Sequence, residues 1–181
     1  MPSKGGLAPT LTTARITLAP LGEADVWTVH ALWTDPDVRR HLWDDVVITP
    51  ERAREVLQAG TRDFRERHYG LWGIHEGPAD ALAGFVGCRP WLTGEPELVY
   101  GLRPAWWHRG FATEASQAVL AYVFETLGHP SAVAATDPPN AASIRVMERL
   151  GMTLDWRGEV HGLDTLVYRV SRERWRRLAA V

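Results

Sequence analysis

The sequence predicts an α+β domain: a mixed, mostly antiparallel sheet with helices on its faces. Three observations lead there. Strand-like runs recur from Arg15 to Val170, helix-like runs with capping residues stand between several of them, and successive strand runs are joined by turn-forming residues. At 181 residues and 45% hydrophobic content, the chain has the size of one domain and enough apolar side chains for one core. The expected organisation is a disordered, fraying N-terminus over residues 1–10 and a single domain over 11–181.

Taken in order, Arg15-Ile16-Thr17-Leu18-Ala19-Pro20 alternates and then breaks at proline, as a strand does. Residues 22–33 place Ala24, Trp27, Ala31 and Leu32 at helical spacing, with Glu23 and Asp25 at the positive end of the dipole. Asp35-Pro36-Asp37 opens a further helical turn leading into His41 and Trp43. Thr49 is a cap and Pro50 a first helical residue, for a helix running to about Arg67. Tyr69 to His75 and Leu82 to Trp91 read as an antiparallel hairpin, joined through Glu76-Gly77-Pro78-Ala79-Asp80.

Glu97 to Arg103 is the next strand, closed by Pro104. Thr113 to Leu127 is a helix with Ala115, Ala118, Val119, Tyr122 and Val123 inward, stopped by Gly128. Ser131 to Thr136 is a short strand and Asp137-Pro138-Pro139 a rigid turn. Ala141 to Leu150 is a helix ending at Gly151. Strands near Met152 to Val160 and Leu163 to Val170 flank His161-Gly162, and residues 171–178 form a basic helical end.

Composition narrows the function classes. A net charge of −2 gives no general drive toward nucleic acid or membrane, and the basic residues are spread out and balanced by acids. One cysteine, Cys88, excludes an internal disulfide and a multi-cysteine metal site. It lies in an apolar run, which reads as a buried, inert thiol. No metal site is expected. With no apolar stretch of signal-peptide or membrane-spanning length, the expected location is the cytoplasm. If some of the nine tryptophans are exposed, they would suggest a homodimer surface.

The stretch that carries chemistry is Trp106-Trp107-His108-Arg109-Gly110-Phe111-Ala112-Thr113-Glu114-Ala115, a joint between strand and helix. Gly110 turns the backbone without a Cβ clash and Ala112 keeps the next approach small. Several amide N–H groups at the helix start can then converge on one anion at the positive end of the helix dipole, where a phosphate is favoured. Arg109 adds a cation. About 25 residues on, behind a short strand, comes a second block: Asn140-Ala141-Ala142-Ser143, running to Leu150-Gly151-Met152.

These two blocks, in this order and spacing, resemble the GCN5-related N-acetyltransferases (GNAT), and more closely their ribosomal-protein N-terminal acetyltransferase branch. The likeness covers about residues 11–170. It implies that the strands at 97–103 and 131–136 are parallel neighbours that splay apart around the pantetheine arm of acetyl-CoA. It also implies that the turn at 108–113 and Arg109 hold the pyrophosphate. The family's turn begins with Gln or Arg; this chain has Trp107 there, as that branch often does. The resemblance puts freed backbone N–H groups near Leu102 and Arg103 on the acetyl carbonyl, and Asn140 on the pantetheine or as a helix cap.

Many members of the superfamily carry a tyrosine general acid seven residues after this Asn; here that position is Met147, which has no proton to give. In the ribosomal-protein branch the Ser of Asn-x-x-Ser lies near the sulfur, which points to Ser143. Glu97 stands where the family often has a glutamate base acting through water, and Tyr100 lies on the same strand but the opposite face. Acceptor contacts are expected from Trp33, His41, Trp43, Asp44 and Asp45, aromatics beside carboxylates that suit a cationic amine. The expected reaction is direct transfer from acetyl-CoA to a primary amine, a protein N-terminus or a small molecule such as an aminoglycoside, polyamine or amino acid. The alternative outside enzymes is an acyl-CoA-binding module without turnover.

Overall fold

The computed structural model describes residues 8–77 and 81–179. It runs β1 (Leu11–Thr12), β2 (Ile16–Pro20), α1 (Val26–Trp33), α2 (Pro36–Leu42), α3 (Pro50–Arg67), β3 (Leu71–Glu76), β4 (Leu82–Pro90), β5 (Pro96–Leu102), α4 (Phe111–Ala121), β6 (Ser131–Thr136), α5 (Ala141–Arg149), β7 (Thr153–Val160), β8 (Leu163–Ser171) and α6 (Arg172–Ala179). One eight-stranded sheet has the order β1-β2-β3-β4-β5-β6-β8-β7. Among the described residues β5–β6 is the parallel pair and every other neighbour is antiparallel. The predicted α+β class and its mostly antiparallel sheet are thus observed. Most of the segment expected to fray, and the hairpin turn at 78–80, lie outside the described residues.

Helices cover both faces. On one side, α4 and α5 pack Phe111, Ala115, Val119, Met147 and Leu150 over Trp72, Val86, Leu98 and Ala134 of the sheet. On the other, α1 to α3 pack Val29, Leu32, Trp33, Val38 and Leu57 over Leu71, Leu82, Phe85 and Val99. The capping residues do what their chemistry suggests. Thr49 Oγ1 accepts from the Arg52 N–H at 3.2 Å, and Asp35 accepts from the Asp37 N–H at 3.0 Å. Among the described residues no helix is long and apolar enough to cross a membrane.

The first helix corrects the sequence reading. It begins at Val26 after a 3₁₀ turn at Glu23–Asp25, and Ala24, Trp27 and Ala31 face solvent, with Trp27 67% exposed. The segment carries two apolar stripes. The one with four large side chains, Val26, Val29, Leu32 and Trp33, is buried, because burial scales with apolar area. The exposed tryptophans stand in three separate places: Trp27 on α1, Trp107 between β5 and α4, and Trp156 on β7.

Where β5 meets β6, the sheet is joined at one register position, Glu97 opposite Val133. Below it, Glu95 accepts hydrogen bonds from Ser131 and from Arg169 of β8, clamping the strand starts together. Above it, the strands diverge.

Candidate active site

The divergence of β5 and β6 opens a cleft of ≈ 1150 Å³ whose walls include β5, the start of α4, α5 and α2. On β5, the Arg103 N–H donates to the Ala83 carbonyl at 2.9 Å and so faces β4, away from the gap. Antiparallel alternation then turns the N–H groups of Leu102 and Tyr100 toward the gap. The expectation of two freed amides at Leu102 and Arg103 is corrected by one residue: Arg103 is occupied, and its side chain bonds the Leu82 and Thr28 carbonyls. The Leu102 carbonyl, on the same open edge, accepts from the Trp107 indole at 2.8 Å.

The turn into α4 has the predicted shape. His108 (φ 60°) and Gly110 (φ 80°) adopt left-handed conformations, and the first helical bond runs from the Glu114 N–H to the Gly110 carbonyl. The N–H groups of Phe111, Ala112 and Thr113 therefore have no acceptor within the helix, and these residues line the cleft. Glu114, in the same turn, is structural. Burial raises its pKa, but hydrogen bonds from Thr13 and Arg15 outweigh that and hold it below the usual carboxylate range.

Arg109 is elsewhere than expected. Its guanidinium forks onto both oxygens of Glu76 and lies over the Phe111 ring, turned from the cleft. A bidentate carboxylate close by outcompetes solvent for a planar guanidinium. On the α5 wall of the cleft the cations are instead Arg145 and Arg149, one turn apart. Neither forms an ion pair among the described residues. Their i,i+4 spacing downstream of Ser143 was visible in the sequence but carried no partner to flag it.

Asn140 caps α5, its Oδ1 accepting from the Ser143 N–H at 3.1 Å. Ser143 is one turn into that helix, and its Oγ lies 2.8 Å from the Tyr100 hydroxyl, which also donates to the Ser143 carbonyl at 3.1 Å. Burial pushes the Tyr100 phenol up to about 12, against a smaller opposing effect of the Ser143 hydrogen bond. It therefore stays protonated at neutral pH and acts as a donor, so Tyr100 is no base.

Glu97 faces the other side of β5 from Tyr100, as the alternation predicted. It is 2% exposed and both oxygens are bound by Arg89, at 2.5 and 3.1 Å. The expectation of a free carboxylate base at Glu97 is thus corrected by a cross-strand pair. Cys88 also borders the cleft. Burial and the adjacent Glu97 charge push its thiol up, which leaves it un-ionised. Native protein is therefore expected not to react with Ellman's reagent until it is unfolded in denaturant; rapid labelling of the folded form would show an accessible thiolate.

On the α1–α3 side, Trp33 is a core residue, 1% exposed, edge-on against Phe85 and Trp43, and it borders the cleft. Trp43 is half-buried beside it. His41 lines the cleft and its Nδ1 lies 2.8 Å from Asp137 Oδ2. Asp44 and Asp45 are not on the cleft wall: left-handed backbone at both (φ 51° and 63°) turns the chain outward, and Asp45 pairs with Arg39. Among the described residues no cluster of three or more metal-ligating side chains occurs.

Comparison with known proteins bears on this arrangement. The profile described as "Acetyltransferase (GNAT) domain" matches residues 15–153. The uncharacterised N-acetyltransferase YoaA of Bacillus subtilis is 26% identical over 145 residues, 79% of this chain and 82% of its own. The crystal structure of an acetyltransferase from Agrobacterium tumefaciens superposes with a TM-score of 0.81 at 30% identity, over 91% of this chain and 95% of that one. RimL, a ribosomal-protein α-N-acetyltransferase solved with coenzyme A, shares the fold at TM-score 0.75 and 18% identity, over 90% and 98% of the two chains.

Proposed function

The chain belongs to the acetyltransferase (GNAT) family, and from that premise we propose that it moves an acetyl group from acetyl-CoA to a primary amine by direct attack in a ternary complex, residues 11–181 acting as one domain. The observation that carries the reading is the cradle of unpaired amides at Phe111, Ala112 and Thr113, opening onto the same cleft as the β5–β6 gap.

The residues present fit the carrier. Amides at a helix N-terminus bind a pyrophosphate, and Arg145 and Arg149 supply cations beside them. Bound acetyl-CoA supplies a thioester with an electrophilic carbonyl carbon and a sulfur that departs with the electron pair. Along the gap, the N–H groups of Tyr100 and Leu102 are placed to polarise a carbonyl oxygen. When the single Tyr100 phenol hydrogen goes to Ser143 Oγ and not to the Ser143 carbonyl, the Ser143 hydroxyl hydrogen is left to meet negative charge on the sulfur. Asn140 spends its oxygen on the cap and keeps its amide N–H groups for the pantetheine. Cys88, the one thiol, is buried, which favours direct transfer over an acyl-enzyme.

Two features favour the ribosomal-protein branch: the Asn140-x-x-Ser143 pairing and Met147, fully buried, where another branch has a tyrosine acid. The acceptor side of the cleft mixes Asp37 and Glu55 with Arg40 and Arg52. That balance suits a single amine, as on a peptide N-terminus, better than an aminoglycoside or polyamine, which needs concentrated acid.

Calorimetric titration with acetyl-CoA, CoA and dephospho-CoA tests the carrier site. Saturable 1:1 binding is expected, weakened about 3- to 10-fold by Arg149→Ala, since a charge-assisted contact on an exposed helix face contributes only part of its buried value. No saturable binding of acetyl-CoA would overturn the reading. Release of CoA over a panel of peptide N-termini and small amines then separates an enzyme from a non-catalytic acyl-CoA-binding module.

A further inference from the structure

With Glu97 locked to Arg89 and Tyr100 held protonated, neither group on β5 is free to deprotonate an amine. We propose that His41, oriented by Asp137, is the general base; the proposal rests on the acetyl-transfer reading above. Asp137 follows Thr136, the last residue of β6, and precedes by three the cap of the helix that carries Ser143. His41 is the penultimate residue of α2, on the facing wall. Their 2.8 Å contact therefore ties α2 to the turn that follows β6, with His41 on the cleft wall.

The contact also fixes the ring chemically. A carboxylate accepts, so Nδ1 carries the hydrogen, and in the neutral ring Nε2 then keeps its lone pair. Asp137 Oδ1 is in turn held by the Thr136 hydroxyl at 3.3 Å. No described residue hydrogen-bonds Nε2 of His41, whose side chain is 30% exposed, open enough to meet an acceptor. This is the base-plus-orienter geometry of acid–base catalysis.

The step balances. An acceptor arriving as an ammonium gives one proton to His41 Nε2. The freed nitrogen lone pair forms the C–N bond at the thioester carbon, and the C–S bond breaks with its electrons on sulfur. The remaining excess proton on nitrogen passes to the thiolate by way of the Ser143 hydroxyl. The imidazolium returns its proton to water, giving amide, CoA thiol and one released proton.

Two measurements test the dyad. Histidine 15N NMR, with His41→Gln to assign the signal, should show an Nδ1-protonated ring with a bare Nε2 that loses this bias in Asp137→Asn. A wild-type ring protonated at Nε2 instead overturns the proposal whether or not an acceptor is known. In turnover assays His41→Gln should lower kcat about 100-fold on a strongly basic alkylamine, within the range a general base contributes, with acetyl-CoA Kd unchanged. The loss should be smaller on a weakly basic amine such as glycinamide, already largely neutral. Equal losses on both amines, or a raised KM with kcat intact, would mean that His41 only packs or binds. Acetyl-CoA binding with no amine ever acetylated by wild type would count against the transferase reading, leaving the tautomer to decide the dyad.

Discussion

Ser143→Ala is expected to lower kcat about 10- to 100-fold while leaving acetyl-CoA affinity within a factor of two. The estimate follows from one hydrogen bond to a charged group at about 1.5–3 kcal/mol, with each 1.36 kcal/mol a factor of ten. Sulfur is a softer acceptor than oxygen, which puts the lower half of the range in view. Tyr100→Phe removes the partner 2.8 Å from Ser143 Oγ and should give a smaller loss of the same kind. If the two act as one device, the double variant is no slower than Ser143→Ala alone, because a unit already broken loses nothing more. Additive losses would mean that Tyr100 acts independently; unchanged turnover in Ser143→Ala would remove the serine from the mechanism.

The second large effect is on stability. A Cβ at Gly87 would sit 2.1 Å from the Gly70 carbonyl oxygen and 2.8 Å from Leu71 Cα, both backbone atoms of the neighbouring chain segment. That segment has little room to retreat, since the same Gly70 carbonyl accepts from the Cys88 N–H at 2.9 Å. Gly87→Ala is expected to cost about 3 kcal/mol, the upper part of the overpacking range. For a chain this long that lowers Tm by about 6–12 °C in a circular-dichroism melt. Gly94→Ala, with φ +85° but open space around it, bears only backbone strain and should cost about 1 kcal/mol. A Gly87→Ala protein that melts with wild type would contradict the close approach of β3 and β4.

What the sequence disclosed and what it withheld divide along physical lines. Features set by the backbone were legible. A glycine at the start of a helix, a Thr-Pro cap, and an Asn three residues before a Ser each specify a local conformation, and the turn at 108–113 and the cap at Asn140 follow from them. Features set by which charged side chain finds which partner were not. Arg109 has the chemistry of a phosphate ligand, but Glu76, 33 residues away, takes its guanidinium in the fold. Glu97 read as a free carboxylate because its partner Arg89 stands across a strand pair whose register had to be known first. A single residue of the same alternation separates the Leu102 N–H, on the gap, from the Arg103 N–H, bonded to Ala83. The His41–Asp137 contact joins positions 96 apart, and no local pattern announces it.

The single joint between β5 and β6 also changes what kind of object the cleft is. Everything from β1 through α4 lies on one side of that joint in the sheet, and everything from β6 through α6 on the other. The chain thus crosses from one half to the other once, after α4 near Gly128. Each half is continuous in sequence, and the proposed groups are divided between them: the amide cradle and Tyr100 come from the first, Ser143 and Asp137 from the second. The reacting centre belongs to neither half by itself. It exists only where the two are seated against each other across a core they share, so any change in that seating moves the acetyl-handling groups relative to one another.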